Sequence, residues 1–253
     1  MPSVDLICLA NSYKWHNRCL AGLRADGGGW VRPVSDKQHG ELAYSQYRLP
    51  DHSEPHLLDV IRVGLSRPEP LPHQPENWLV DNSEWKLLER PASANRARAV
   101  AAAVYRGPLL FGNTGRSLPY AQFLTRPARE SLVLVQPAGI RWHTEFNTYE
   151  LRNTPRVLFR LGDVPYDLPL TDPAHAGPLQ RRDEGNYSSS DLGIPEDGTI
   201  LFTISLGDPL DGVCYKLVAA VVIVPPAWTV HTPGETLQAS TAKGLNPVRS
   251  RLL

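Results

Sequence analysis

The residues with the most chemistry at close spacing lie near the start of the chain, in Asn11-Ser12-Tyr13-Lys14-Trp15-His16-Asn17-Arg18. Two cations, Lys14 and Arg18, are interleaved with two aromatics, Tyr13 and Trp15, and Arg32 follows beyond an Asp26-Gly27 turn. Cations that hold phosphates and rings that stack on bases are the means by which small barrels bind single-stranded nucleic acid. The plain alternative is a solvated loop with ordinary surface charges. A second candidate stretch is Pro72-His73-Gln74-Pro75-Glu76-Asn77-Trp78. There Asn77 offers a donor and an acceptor to a base edge, and Trp78 a stacking face. The alternative is a structured crossover in which Trp78 plugs the end of a barrel. The candidate ligand-binding set is Asn11, Tyr13, Lys14, Trp15, Arg18, Arg32, Asn77 and Trp78, with no catalytic residue among them.

Other chemistries fit less well. His16-x-x-Cys19, with Cys8 nearby, is half a zinc site, but a structural zinc needs a second ligand pair and none follows at short spacing. No metal and no cofactor is expected. A Cys-His nucleophile from the same residues would need a reactive thiolate, and Cys19 falls on the apolar face of its strand, where a thiol is inert. Gly27-Gly28-Gly29 lacks the following helix that a phosphate-cradling loop requires, so it reads as a turn. Arg156 and Arg160 share a strand face that could extend a basic groove. Asp163, Asp167, Asp172, Asp183 and Glu184 could converge on a divalent ion in a nuclease, although their spacing fits no metal motif.

Short strands must position these residues. Leu6 to Ala10 is apolar on both faces and predicts a buried strand. The polar run that follows reads as a loop. Arg18 to Ala25 and Trp30 to Ser35 then form a hairpin around Asp26-Gly27, since Gly takes the positive φ such turns need. Glu41–Leu49 and Leu57–Leu65 are further strand candidates, after which Arg67-Pro68-Glu69-Pro70-Leu71-Pro72 interrupts regular structure. Gln74 to Leu88 reads as an ordered excursion with one helical turn and a short strand. Ala92 to Arg106 predicts a helix capped by Ser93 and stopped by Gly107-Pro108, with Ala99, Val100, Ala103 and Val104 on its apolar stripe. A short helix is expected at Tyr120–Leu124. Strands follow at Glu130–Gln136, Arg141–His143, Thr148–Arg152, Arg156–Leu161, Thr199–Leu206 and Val213–Val224. Residues 162 to 198 read as one long loop. The pattern predicts a mainly β fold: two OB-like Greek-key β-barrels with a helical excursion between them. The expected divisions are 1–70 for the first barrel, 71–128 for the linker, 129–225 for the second barrel and 226–253 for a polar tail without a core pattern.

Composition limits the function. Lys plus Arg and Asp plus Glu both number 26, so the chain is neutral, which argues against a protein that wraps duplex DNA with its whole surface. Cys8, Cys19 and Cys214 are too few and scattered for a disulfide framework and read as reduced core thiols. No signal-peptide pattern opens the chain, and the longest apolar run, Leu217 to Pro226, is about half of what crosses a bilayer. A cytoplasmic location without membrane partners is the expectation.

Three stretches carry a resemblance. The first strand ending Ala10-Asn11-Ser12, then Lys14, Arg18-Cys19 and Trp30-Val31-Arg32-Pro33-Val34-Ser35, is similar to the opening of the dual OB-containing domain. The run Pro72 to Trp78 resembles that family's middle motif. Ser205-Leu206-Gly207-Asp208 with Cys214-Tyr215-Lys216-Leu217-Val218-Ala219-Ala220 resembles its closing strand. The likeness spans roughly residues 4 to 225. The family is known mainly from bacterial biological-conflict, antiphage-type systems, and the resemblance implies a fold and a binding role rather than a reaction. The expected function is recognition of nucleic acid or a nucleotide-like ligand as a recognition or adaptor component of such a system. The alternative is a protein–protein scaffold that docks an effector enzyme through the Trp78/Trp85 region or the helix. A metal-dependent nuclease is the third reading, and a binding protein is favoured over an enzyme.

Overall fold

The computed structural model describes residues 3–148, 151–195, 198–226 and 228. The first unit contains β1 (Ser3–Lys14), β2 (Asn17–Arg24), β3 (Trp30–Val34), the one-turn helix α1 (Tyr44–Tyr47), β4 (Val60–Pro68), β5 (Asn77–Val80) and β6 (Lys86–Glu89). Hydrogen bonding runs β1–β2–β3–β5–β4 and returns from β4 to β1, which closes a five-stranded barrel; β6 adds to β4. β1 is apolar on both faces for a definite reason. Val4, Leu6 and Cys8 fill the barrel with Leu20, Val31, Ile61, Val63, Val80 and Trp85. Ile7 and Leu9 face outward into a second apolar seam with Ala21, Leu23, Leu134, Leu201 and Val222. Burying each such aliphatic side chain is worth roughly 1.5–3 kcal/mol relative to exposure. Gly22 is required where β2 crosses β1, because a Cβ there would lie 2.4 Å from the Ile7 carbonyl oxygen.

Between the units lie α2 (Ala94–Ala102), β7 (Val104–Tyr105), β8 (Ser117–Pro119) and α3 (Tyr120–Thr125). The second unit has β9 (Leu132–Val135), β10 (Ala138–Asn147), β11 (Arg152–Leu161), β12 (Val164–Pro169), α4 (Pro173–Gln180), β13 (Gly185–Tyr187), β14 (Ile200–Leu210) and β15 (Val213–Ile223). Its two sheets run β12–β11–β10–β13 and β7–β9–β14–β15–β8, joined by a bridge from Leu170 to Val218. Trp142, Val157, Phe159, Tyr166, Leu168, Phe202, Ile204 and Val218 pack between them. The mainly β, two-barrel architecture is therefore present, with the second barrel open on one side.

Several local expectations are corrected. Glu41–Leu49 is not a strand: Leu42 makes a single bridge to Arg18, and α1 follows. Within the stretch assigned to the linker, residues 77–89 supply β5 and β6 to the first sheet, with no helical turn. The helix ends at Ala102, before β7. Ser93 occupies its N-cap position without a capping bond from its hydroxyl, and its backbone N–H donates to Glu89 Oε2 at 2.7 Å. Arg141–His143 lies within the longer β10; of the expected strand Thr148–Arg152, Thr148 and Leu151 are turn residues, Arg152 opens β11, and residues 149–150 lie outside the described residues.

The expected long loop 162–198 holds β12, α4 and β13, and Tyr166, Leu168, Leu170, Leu179 and Ile194 are core. Its alternation was masked by Pro165 and Pro169. Both prolines sit on the edge strand β12, where a missing N–H is tolerated. Finally, Trp228, assigned to a tail without core residues, is only 5% exposed and packs into the seam between the units. Residues 229–253 of that expected tail lie outside the described residues. Among the described residues no helix is long and apolar enough to cross a membrane.

Candidate ligand cleft between the barrels

The polar run after Ala10 is not a loop. β1 continues through Lys14, and Tyr13 pairs with Arg18 and Lys14 with Asn17 across a two-residue turn. That turn is Trp15-His16, with φ of 48° and 60°. Paired positive φ values define the mirror-image hairpin turn, which usually takes Asn-Gly because side chains are strained there. The geometry lifts the Trp15 ring into solvent at 59% exposure, with Tyr13 at 57%. Trp15 stacks on His39 with ring centroids 4.3 Å apart and planes 17° from parallel. The Arg18 guanidinium lies 4.5 Å above the Tyr13 ring.

Two of the expected phosphate-binding cations, Lys14 and Arg18, already have a carboxylate. Lys14 Nζ is 3.1 Å from Asp208 Oδ2. Arg18 donates to both oxygens of Glu54, at 2.9 and 3.3 Å, and the Tyr47 hydroxyl donates to Glu54 Oε1 at 3.1 Å. Asn11 donates to the Pro55 carbonyl at 3.0 Å, which holds the same segment in place. Asp208 is also 3.6 Å from His39 Nδ1 and 3.6 Å from His73 Nε2. Burial alone would raise the Asp208 carboxyl, but the His73 imidazole and the Lys14 ammonium outweigh it and hold the group down at about 2. It is therefore a carboxylate at any physiological pH.

Arg32 and Asn77 do not reach the surface as expected. Arg32 is 1% exposed; it donates to Asn77 Oδ1 at 3.3 Å and to Ser205 Oγ at 3.1 Å. Asn77 in turn donates to Gln74 Oε1 at 3.4 Å, and Gln74 donates to the Leu206 carbonyl at 3.0 Å. Glu76 accepts from both Ser131 N–H, at 2.6 Å, and Ser131 Oγ, at 2.7 Å. Residues 72–78 are thus a crossover that ties the first barrel to the second. Trp78 is half-buried against the first barrel's core. A buried guanidinium held only by neutral acceptors is costly, and the pairing with Asn77 and Ser205 offsets part of that cost.

The three stretches that carry the sequence resemblance converge here. Lys14 comes from the first, His73 from the second and Asp208 from the third, and Arg32, Asn77 and Ser205 repeat the same convergence one layer deeper. Around Asp208 lie two adjoining clefts. One, about 360 Å³, is bounded by Tyr13, Lys14, Trp15, Cys19, Leu206 and Tyr215. The other, about 520 Å³, is bounded by Leu71, His73, Asn77, Leu79 and Tyr120. His39, Asp208 and Pro209 line both. Cys19 is consequently a half-buried cleft wall and not a core thiol.

The other candidates are placed elsewhere. Asp167 accepts from Arg156 Nε at 2.9 Å, contacts His143 Nε2 at 3.1 Å, and pairs with Arg116. Asp172 accepts from Ala174 N–H at 2.9 Å, capping α4, and from Val221 N–H at 2.8 Å. Asp163 is exposed, and these carboxylates do not converge. His143, Glu145 and Asp167 lie close enough together to hold a cation, but the Arg156 guanidinium occupies the same position and opposes one. Arg156 is committed to that pairing and extends no groove. Trp85 is fully buried in the first barrel and offers no docking face. Asp208, His73, His39 and Glu54 were not singled out by sequence reasoning. The signal available for two of them was their position inside the motifs Pro72–Trp78 and Ser205–Asp208.

A closed five-stranded barrel beside a half-barrel, with aromatic-rimmed clefts at their junction, defines a two-OB protein. The chain belongs to the dual OB-containing domain family, which it matches over residues 4–221. No curated protein and no solved structure matches it.

Proposed function

We propose that the protein recognises a nucleic-acid strand or a nucleotide-like ligand in the cleft beneath Trp15, as a recognition or adaptor component of a bacterial conflict system. The cellular setting rests on the family resemblance. The ligand class rests on one observation: an indole held in solvent by a strained turn, stacked on His39 at the mouth of a cleft. Strain and exposure of this kind are kept where the ring has work to do. The pairing of Lys14 with Asp208 and Arg18 with Glu54 makes stacking, not charge, the main source of affinity.

The test is fluorescence anisotropy of labelled single-stranded DNA and RNA titrated with salt. Binding is expected with a shallow salt slope, equivalent to roughly two to four phosphates at most. Trp15→Ala is expected to cost roughly 1–3 kcal/mol without altering that slope. No binding at low salt, or binding indifferent to Trp15→Ala, overturns the assignment.

A further inference from the structure

The second cleft has a feature that the Trp15 platform does not use. His73 is buried and lines this cleft; its Nε2 faces Asp208 Oδ1 at 3.6 Å, and its Nδ1 has no hydrogen-bond partner. A buried imidazole in that state lacks the bonds such groups almost always make. Beside it, the Asp208 carboxylate is already engaged, with Oδ2 3.1 Å from Lys14 Nζ. Leu71, Leu79 and the Tyr120 ring supply apolar surface in the same cleft, and Tyr120 meets His73 edge to face at 5.5 Å. The combination is a cleft with apolar walls, a polar rim and an unpartnered imidazole nitrogen at its inner end. It suits a planar heterocycle that carries both donors and acceptors on one edge, as nucleobases do.

We propose that the two clefts are successive subsites for two consecutive nucleotides of one strand, the first base on Trp15 and the second against Tyr120 and His73. This rests on the reading of the first cleft given above. Three observations support it. Each cleft, at about 360 and 520 Å³, falls in the range of a small-molecule site. The clefts are not separate: His39, Asp208 and Pro209 are the ridge between them, so a ligand leaving one enters the other. That ridge is passable to a phosphodiester because the Lys14 ammonium balances the Asp208 carboxylate, which would otherwise repel it. Linking two units that bind adjoining sites raises affinity because the second binding event becomes intramolecular.

The experiment is isothermal titration of the full chain with nucleoside monophosphates and with mixed-sequence di-, tri- and tetranucleotides. Dinucleotides are expected to bind roughly tenfold or more tightly than mononucleotides, with only a small further gain on lengthening. His73→Ala is expected to remove the dinucleotide gain and leave mononucleotide affinity unchanged. Tyr120→Ala, at a half-buried position, gives the same comparison if the histidine variant folds poorly. Equal affinity for mono- and dinucleotides overturns the two-subsite proposal while leaving the Trp15 site standing. So does affinity that climbs evenly with every added nucleotide, or a His73→Ala loss that is equal for both ligands. Absence of binding by every length tested removes the Trp15 site and the proposal together.

Discussion

Lys14 and Asp208 are separated by 194 positions in the chain and by 3.1 Å in space, one at the tip of the first hairpin of barrel one and the other at the far end of β14. Their ion pair, flanked by His39 and His73, joins the two barrels at the point where both clefts open. The pair therefore links the stability of the junction to the readiness of the site.

The Asp208 carboxyl sits at about 2 in the folded chain against an ordinary value of 3.8. A carboxyl with a depressed folded value binds fewer protons than in the unfolded chain, so its stabilisation is complete above about pH 4 and is lost as pH falls towards 2. Asp208→Asn is expected to cost roughly 2 kcal/mol at pH 5, a difference that falls to a few tenths (~0.4 kcal/mol) at pH 2 and vanishes below it. Urea unfolding of both proteins between pH 5 and 2 measures it. A gap that keeps its full size at pH 2 would mean that the side chain's shape, and not its charge, matters.

The Trp15-His16 turn trades stability for exposure of the indole. Both residues have positive φ, which costs a non-glycine residue roughly 1–2 kcal/mol each. His16→Gly is expected to stabilise the protein by roughly 1 kcal/mol, raising Tm by about 2–4 °C, with ligand affinity unchanged. Trp15→Gly is expected to stabilise it similarly and to weaken binding by roughly 1–3 kcal/mol, as Trp15→Ala does. Thermal melts and anisotropy on the two variants separate these effects. Unchanged affinity in Trp15→Gly would show that the strain serves something other than the ligand.

Trp228 lies beyond Pro225-Pro226 yet packs with Ala10, Ala21, Leu134 and Val222 in the seam between the units. Removing a large buried aromatic typically costs 3–5 kcal/mol, so Trp228→Ala is expected to lower Tm by roughly 6 °C or more. A shift under about 2 °C would indicate that the ring contributes little to the seam.

The strands were legible in the sequence where alternation was clean or where both faces were apolar, as in Leu6–Ala10, Arg156–Leu161 and Val213–Val224. They were lost where the outward face carried proline, as at Pro165 and Pro169 in β12, or where a strand was too short to show a period, as in β5 and β6. The site was half legible. Tyr13, Lys14, Trp15 and Arg18 announce themselves because they are close in sequence. Their partners do not: Glu54 and Asp208 reach Arg18 and Lys14 from 36 and 194 positions away, and no local pattern encodes that meeting. Arg32 misleads for the opposite reason, since it stands on the expected strand and only its burial reveals that it braces the crossover.

The Arg18–Glu54 pair decides how much charge the site can offer a phosphate. Arg18 donates two hydrogen bonds to Glu54, and the carboxylate is further fixed by Tyr47, so a phosphate competing for the guanidinium must displace an anion already in place. Glu54→Gln keeps the side-chain shape and an acceptor for Tyr47 but removes the competing charge. It is expected to tighten single-strand binding and to steepen the salt slope by about one contact's worth, roughly 0.7 on a logarithmic scale. Arg18→Gln in the wild-type background is expected to leave the slope almost unchanged, and in the Glu54→Gln background to remove the added increment. The double-mutant cycle, measured by salt-titrated anisotropy, isolates the charge from the fold. If Glu54→Gln leaves both affinity and slope where they were, Arg18 faces no phosphate, and the strand, if bound, is held by Trp15 and the clefts alone.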